Sequence, residues 1–305
     1  MMLLSVFLFS CMDATVKHAI ATYPVGQIIF FRNMVAFLPI AWFIHRAGGI
    51  GVLRTRQLGA HLGRSLVGIV AMATGFLGYA YLPLGDAVSL EQSGPLFLTA
   101  LSVPLLGERV GWRRWAAVGV GFAGVLVMTR PGAGLFNPAA LFSLTAAGCY
   151  ALAMIAIRRL GRTDGPATTV FYFTLCAALV GTASLPFAWV TPDARGLGVL
   201  VAIGLFGGFA QMAMTEAFRI APVSLIAPFN YASLVFAMAF GFAFWGEVPD
   251  GFLLAGAAIV VASGLYILHR EATLARRSRA ARMAAPAPAA TSGGARYGGP
   301  ARGTG

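Results

Sequence analysis

The chain has 305 residues, of which 58% are hydrophobic and only 10% charged, with a mean hydropathy of +0.79. Soluble domains carry about a quarter charged residues, so no water-facing surface can be assembled from this composition and a soluble fold is excluded. The net charge of +12 does not point to nucleic acid, because the basic residues lie in short loops and a terminal tail with no compact polar domain to present them.

A hydrocarbon core of roughly 30 Å takes about 20 apolar residues per spanning helix. Hydropathy and breakers predict spans near 2–20, 25–44, 64–82, 86–106, 113–129, 138–157, 167–190, 197–218, 223–245 and 252–268. The first begins at once, without a basic region before it or a cleavage site after it, and reads as a retained helix. It carries Asp13 and Lys17, four apart on one face. Either they neutralise each other, or Lys17 reaches the outer interface and leaves Asp13 to face the bundle with Arg32.

Arg32 lies in IIFFRNMV of the second span, where cost rules out a lipid-facing position. The fourth span contains SLEQSGP, in which Gly94 and Pro95 weaken the helix beside Glu91 and Gln92 and free carbonyls that must be satisfied inside protein or a cavity. The stretches WAAVGVGFAGVLVM and FLLAGAAIVVASGLYIL of the fifth and tenth spans carry no charged group and many small residues. They are expected to pack as scaffold or at a homodimer face. In the fifth, Gly119, Gly121 and Gly124 match the dinucleotide pattern GxGxxG, but without a βαβ unit the match reads as helix packing. Gln211 and Glu216 lie on the eighth span, with Glu216 near its cytoplasmic end beside Arg219, where an interfacial salt bridge is expected ahead of a binding role. The ninth span contains IAPFNYAS, with Asn230 and Tyr231 next to Pro228.

Ten spans put both termini on one membrane face. With that face inside, every loop and tail arginine except Arg130 and Arg195 is cytoplasmic, so the positive-inside rule predicts cytoplasmic termini. Residues 270–305 are rich in Arg, Ala, Pro, Gly and Ser and are expected to form a disordered cytoplasmic tail.

At a shift of 139 residues Pro83 meets Pro222, Phe97 meets Phe236, Gly107-Glu108 meets Gly246-Glu247, and Glu91 meets Asn230. The halves read as a duplicated five-helix unit, residues 1–132 and 133–269. Because five is odd, the second copy is inverted, an architecture found in transporters. The fold class expected is all-α integral membrane, ten transmembrane helices as two inverted five-helix repeats. Asp13, Arg32, Glu91, Gln92, Asn230 and Tyr231 form the candidate substrate site, since ionisable groups at membrane depth call for a function.

No catalytic signature is present. His18, His45, His61 and His269 are scattered, there is no metal-ligand or nucleophile motif, and no cofactor is expected. Cys11, Cys149 and Cys176 read as buried small hydrophobes.

The stretches CMDATVK, FFRN, AYLPLGDAVSLEQSGPLF with LLGE, GFAGVLVMTRPG and APFNYASLVFAMAFGFAFWGEVPD resemble the drug/metabolite transporter superfamily of EamA type, over about residues 5–268. The D-x-x-x-K and FFR elements are similar to permeases of the riboflavin and S-adenosylmethionine uptake type. The resemblance implies a bacterial inner-membrane secondary carrier, without ATP or enzyme activity. It implies a small organic substrate in a cavity between the first four helices of each half, and Glu91 adds a cationic substrate group or a site for proton coupling. Export of amino acids, metallophores or cationic drugs, or a membrane enzyme or sensor without transport, are the other readings.

Overall fold

The computed structural model describes residues 1–46, 48–107, 111–130, 137–161, 163–220 and 227–284. Glu108, Pro222 and the side chains of Arg219 and Pro228 lie outside the described residues. Among the described residues all regular structure is helical: α1 Met2–Ala19, α2 Val25–Arg46, α3 Leu58–Tyr81, α4 Leu84–Glu91, α5 Gly94–Leu106, α6 Trp112–Thr129, α7 Ala140–Leu160, α8 Pro166–Ser184, α9 Ala194–Ile220, α10 Ala232–Trp245 and α11 Gly251–Ala284. Seven of these are each long and apolar enough to cross a bilayer. The crossings through α6, through α4 with α5, and through a 3₁₀ turn at Ala227–Tyr231 with α10 complete ten.

The two interrupted crossings have local causes. Pro95 has no N–H, so the carbonyl of Glu91 loses its donor four residues on, and the chain turns through Gln92 and Ser93 before α5 begins. In the second half the 3₁₀ turn Ala-Pro-Phe-Asn-Tyr occupies the matching place. Each interrupted crossing then ends on a glycine in the left-handed region, Gly107 at φ 67°, ψ 20° and Gly246 at φ 65°, ψ 21°, as a helix C-terminus commonly requires. Two glycines 139 residues apart with the same backbone conformation are the local imprint of the duplication.

Packing carries the same symmetry. α1 lies against α9 as α7 lies against α3, α2 against α9 as α8 against α3, and α5 against α7 as α10 against α1. α2 meets α8, α4 meets α10 and α6 meets α11 across the repeat interface. Exchanging the halves maps this set onto itself, and five crossings per half make the second copy antiparallel to the first.

Small residues allow the close approaches, as expected where lipid supplies no hydrophobic drive between helices. α6 and α11 cross where Gly124 faces Gly256: a Cβ on either would stand less than 3 Å from the other's carbonyl oxygen. The fifth and tenth crossings therefore use their small-residue faces against each other. α11 also runs past His269 to Ala284, so the first part of the segment expected as a disordered tail is helical. Its Ala and Arg content, high in helix propensity, explains that. Residues 285–305 lie outside the described residues.

Candidate functional site

α1, α3 and α4 bring three polar side chains to one point. Tyr79 donates its hydroxyl to Glu91 Oε2 at 3.1 Å and sits within hydrogen-bonding reach of Asp13. Glu91 Oε1 is buried with no partner. It faces Gly75, where a Cβ would stand only 3.1 Å away, so the carboxylate occupies space that only glycine leaves open. This wall of the site accepts hydrogen bonds through two carboxylates that flank one hydroxyl.

A basic wall stands beside it. Arg32, only 8% exposed, donates from Nη1 to Asn33 Oδ1 at 2.9 Å, and Asn33 is fixed in turn by donating to the Ile29 carbonyl at 2.7 Å. Arg32 Nε has no partner. The guanidinium feels the charge of Asp13, yet among the described residues no ion pair joins the two. Arg64 of α3 lies over the Phe173 ring with 4.2 Å from Cζ to the centroid. Arg32 approaches the same ring at 5.8 Å. Arg64 Nε and Nη1 are buried without partners, and the Arg64 and Arg32 charges repel. Tyr150, half exposed, packs against Gly94 at the break.

Asp13, Arg32 and Glu91 thus come together. Gln92 and Asn230 come together at a second point, on the seam between the broken crossings: Gln92 Nε2 donates to the Asn230 carbonyl at 3.0 Å and to Ser233 Oγ at 2.8 Å. Tyr231 does not join either group. Its ring runs to α11, where the space over Gly264 receives its hydroxyl, which is buried and unpartnered. Glu216 and Gln211 are both engaged by neighbours.

Arg64 is absent from the expected site because hydropathy starts the third span at residue 64 and makes this arginine a loop residue. The helix begins six residues earlier, at Leu58, which carries Arg64 into the bundle. The apolar sequence HLGRSLVGIV on both sides of it was the available signal. Phe173 gave none, being one aromatic among many.

The two ends of the bundle are tied differently. At the end where α1 finishes, Lys17 Nζ bonds Glu247 Oε1 and the Leu82 carbonyl, the latter at 2.9 Å. Glu247 Oε2 accepts from the Leu84 N–H at 2.8 Å, capping α4, and Lys17 lies 5.2 Å from the centre of the Trp245 ring. The expected alternative of a Lys17–Asp13 pair does not form, which leaves Asp13 to the interior. A cavity of about 410 Å³ at this end is lined by His18, Tyr23, Thr191, Asp193 and Arg195, away from the charged cluster. At the end bearing the termini, fully buried His61 meets Asp164 Oδ2 at 2.6 Å. Thr55 donates to the same oxygen at 2.6 Å, and Tyr172 bonds the Leu53 carbonyl at 3.2 Å. These contacts fasten the α2–α3 loop to the α7–α8 turn. Hydrogen bonds from Thr55 first, and then His61, hold the Asp164 carboxyl below the usual carboxylate range.

Two copies of one family model, described as the EamA-like transporter family, match residues 1–130 and 137–268. A pseudopaline exporter of Pseudomonas aeruginosa is 33% identical over 85% of this chain and 91% of its own length. A riboflavin transporter of Vibrio cholerae is 30% identical over 89% of this chain and 92% of its own. An S-adenosylmethionine uptake transporter of Rickettsia prowazekii is 29% identical over 87% and 92%. A solved crystal structure superposes with a TM-score of 0.62 at 21% identity, covering 91% of this chain and 98% of its own, which shows the shared fold. With two family matches covering both halves of a ten-crossing helical bundle, the chain belongs to the EamA-like transporter family and is a membrane transporter, not an enzyme.

Proposed function

We propose that the chain is a secondary carrier that moves a small organic metabolite by alternating access, with Asp13, Arg32 and Glu91 contacting the substrate and Gln92 with Asn230 holding the inter-repeat seam. The observation that carries this is the pair of buried, unmet groups, Arg32 Nε and Glu91 Oε1, at a depth where an unsatisfied polar group costs several kcal/mol, on the order estimated for hydrocarbon. A substrate that fills their valences supplies the missing partners. Tyr231 supports the site from behind, against α11. The riboflavin and S-adenosylmethionine carriers among the relatives set the size of the cargo to test first, and the pseudopaline exporter adds metallophores.

Alternating access needs a gate at each end. The Lys17–Glu247 bond, which ties the first repeat to the second, is suited to closing one of them, and the His61–Asp164 network is suited to the other. Two carboxylates beside the Tyr79 hydroxyl repel when both are ionised, which supports proton coupling through Asp13 or Glu91. The arginine asymmetry supports a bacterial inner-membrane location with both termini cytoplasmic. A homodimer through the fifth and tenth crossings would use their outer faces, because the Gly124–Gly256 contact is internal.

The test is counterflow in proteoliposomes with riboflavin, S-adenosylmethionine and a broad metabolite panel, with and without a pH gradient. Uptake above empty vesicles that Arg32→Gln abolishes is the expected result. Failure of every compound to move overturns the carrier reading, and transport indifferent to the pH gradient overturns proton coupling. A phosphatase fused to the C-terminus should stay inactive if that end is cytoplasmic.

A further inference from the structure

Arg64 has no place in the substrate site read from the sequence, yet it is the more exceptional of the two site arginines. Two of its three nitrogens are buried without a partner, and Arg32 adds a third such nitrogen. Both guanidinium groups approach one ring, Phe173, and they repel each other. Lys17 does not share this work, since it is committed to Glu247 and the Leu82 carbonyl. Asp13 does not neutralise either arginine by direct pairing among the described residues.

We infer that the cargo carries at least one carboxylate, received between Arg32 and Arg64 beside the face of Phe173, together with an amino group that faces Asp13 and Glu91. This rests on the carrier reading above and names the substrate class of that site. A guanidinium presents a planar fork of N–H donors that matches a carboxylate in two parallel bonds. Phe173 supports the Arg64 plane, so that its donor edge is held ready instead of folding away. Asn33 takes one nitrogen of Arg32 and leaves Nε free. An anion between the two arginines removes their mutual repulsion and satisfies the three open donors in one step.

The opposite wall selects the other end of the molecule. Glu91 Oε1 and the Asp13 carboxylate only accept when ionised, so an ammonium or a ring N–H completes them. A neutral planar ring with hydroxyls, such as riboflavin, leaves the guanidinium groups unmet and forfeits the larger part of the available binding. The two walls together discriminate by charge pattern more than by shape.

The experiment is a thermal-shift titration of the detergent-purified full chain at matched ionic strength, followed by counterflow in liposomes. The probes are S-adenosylmethionine, its decarboxylated analogue, ethylenediaminedisuccinate and riboflavin. At least one carboxylate-bearing probe should stabilise the protein, and the decarboxylated analogue and riboflavin should bind more weakly. Arg64→Gln should weaken the carboxylate probe by roughly tenfold or more, the loss of a charge-assisted pair, without lowering the melting temperature of the ligand-free protein. Arg64→Lys should restore part of the affinity. Equal binding of parent and decarboxylated probes, no stabilisation by any carboxylate probe, or unchanged affinity in both Arg64 variants overturns the inference. If riboflavin moves equally through wild type and Arg64→Gln while no carboxylate does, this subsite falls and the carrier stands. If carboxylates bind through Arg64 but nothing moves, the carrier reading falls and the subsite stands.

Discussion

Lys17 on the first helix bonds Glu247 in the second repeat, although Asp13 stands one turn away on its own helix. Glu247 uses both oxygens, one for Lys17 and one for the Leu84 N–H at the start of α4. Three segments from both repeats are thereby joined at one membrane end. Removing either charge should leave the other poorly paired, and removing both should cost little more. Lys17→Gln and Glu247→Gln should therefore couple in a double-mutant cycle by about 1–3 kcal/mol in thermal unfolding. If the bond closes this end, a cysteine at fully buried Ala87 in a cysteine-free background should label with impermeant maleimide about tenfold faster in Glu247→Gln, the shift expected for about 1.4 kcal/mol. Additive singles or unchanged labelling would remove the gate.

How much of this was legible in the sequence depended on distance along the chain. Asp13, Arg32 and Glu91 stood out because each interrupts an apolar run, and cost alone places such groups inward. The break at Glu91 followed from Pro95, whose effect is local. Lys17 was ambiguous because helical spacing offers Asp13 as a partner, while Glu247 lies 230 residues on. Arg64 escaped because hydropathy windows locate helix ends poorly, and here six residues move it from a loop into the helix bundle. Tyr231 was misleading for another reason: it shares a segment with Asn230, but a 3₁₀ turn sends neighbouring side chains in different directions, and this one goes to Gly264.

The Gln92 amide joins the two broken crossings through the Asn230 carbonyl and Ser233 Oγ. Interhelical hydrogen bonds in membrane proteins average about 0.6 kcal/mol and reach about 1.7. Gln92→Leu should fall in the upper half of that range, since it breaks two bonds, and should lower the melting temperature without abolishing assembly. Ser233→Ala also breaks two bonds, but the one its hydroxyl donates to the Asn230 carbonyl at 2.8 Å lies within its own segment, and Gln92 keeps its bond to that carbonyl across the seam, so it should cost less. A larger loss in Ser233→Ala would show that the hydroxyl, not the amide, holds the seam.

Asp164 lies in the turn between α7 and α8, outside the crossings, with its carboxyl held below the ordinary aspartate value of 3.8 by Thr55 and then His61. A carboxyl depressed in the folded state contributes stability that is present above its ordinary value and is lost as the pH falls toward the lower, folded value. The melting temperature should therefore fall on acidification below about pH 4, and fall less steeply in Asp164→Asn, which starts lower at neutral pH. Thr55→Val should take part of the same dependence. Parallel curves for wild type and Asp164→Asn would mean that this carboxyl does not contribute to acid sensitivity.

The α6–α11 crossing gives a prediction whose control lies on the facing helix. At Gly256 a Cβ would stand 2.4 Å from Met128 Cγ, 2.6 Å from the Gly124 carbonyl oxygen and 3.0 Å from the Met128 nitrogen. Two of those three atoms are backbone and cannot swing aside, so even alanine must push the helices apart. The strain of overpacking is typically about 1–3 kcal/mol, and Gly256→Ala should lie in that range, with Gly256→Val beyond it. Gly119, one and a half turns from Gly124 on α6, has nothing within 4 Å of its would-be Cβ, so Gly119→Ala should stay within about 0.5 kcal/mol of wild type. Because neither glycine touches the charged cluster, Gly256→Ala should lose melting temperature while the KM of any transported substrate is retained. A Gly119→Ala loss equal to that of Gly256→Ala would mean that the outer face of α6 is also packed against a partner, as a homodimer through this helix requires.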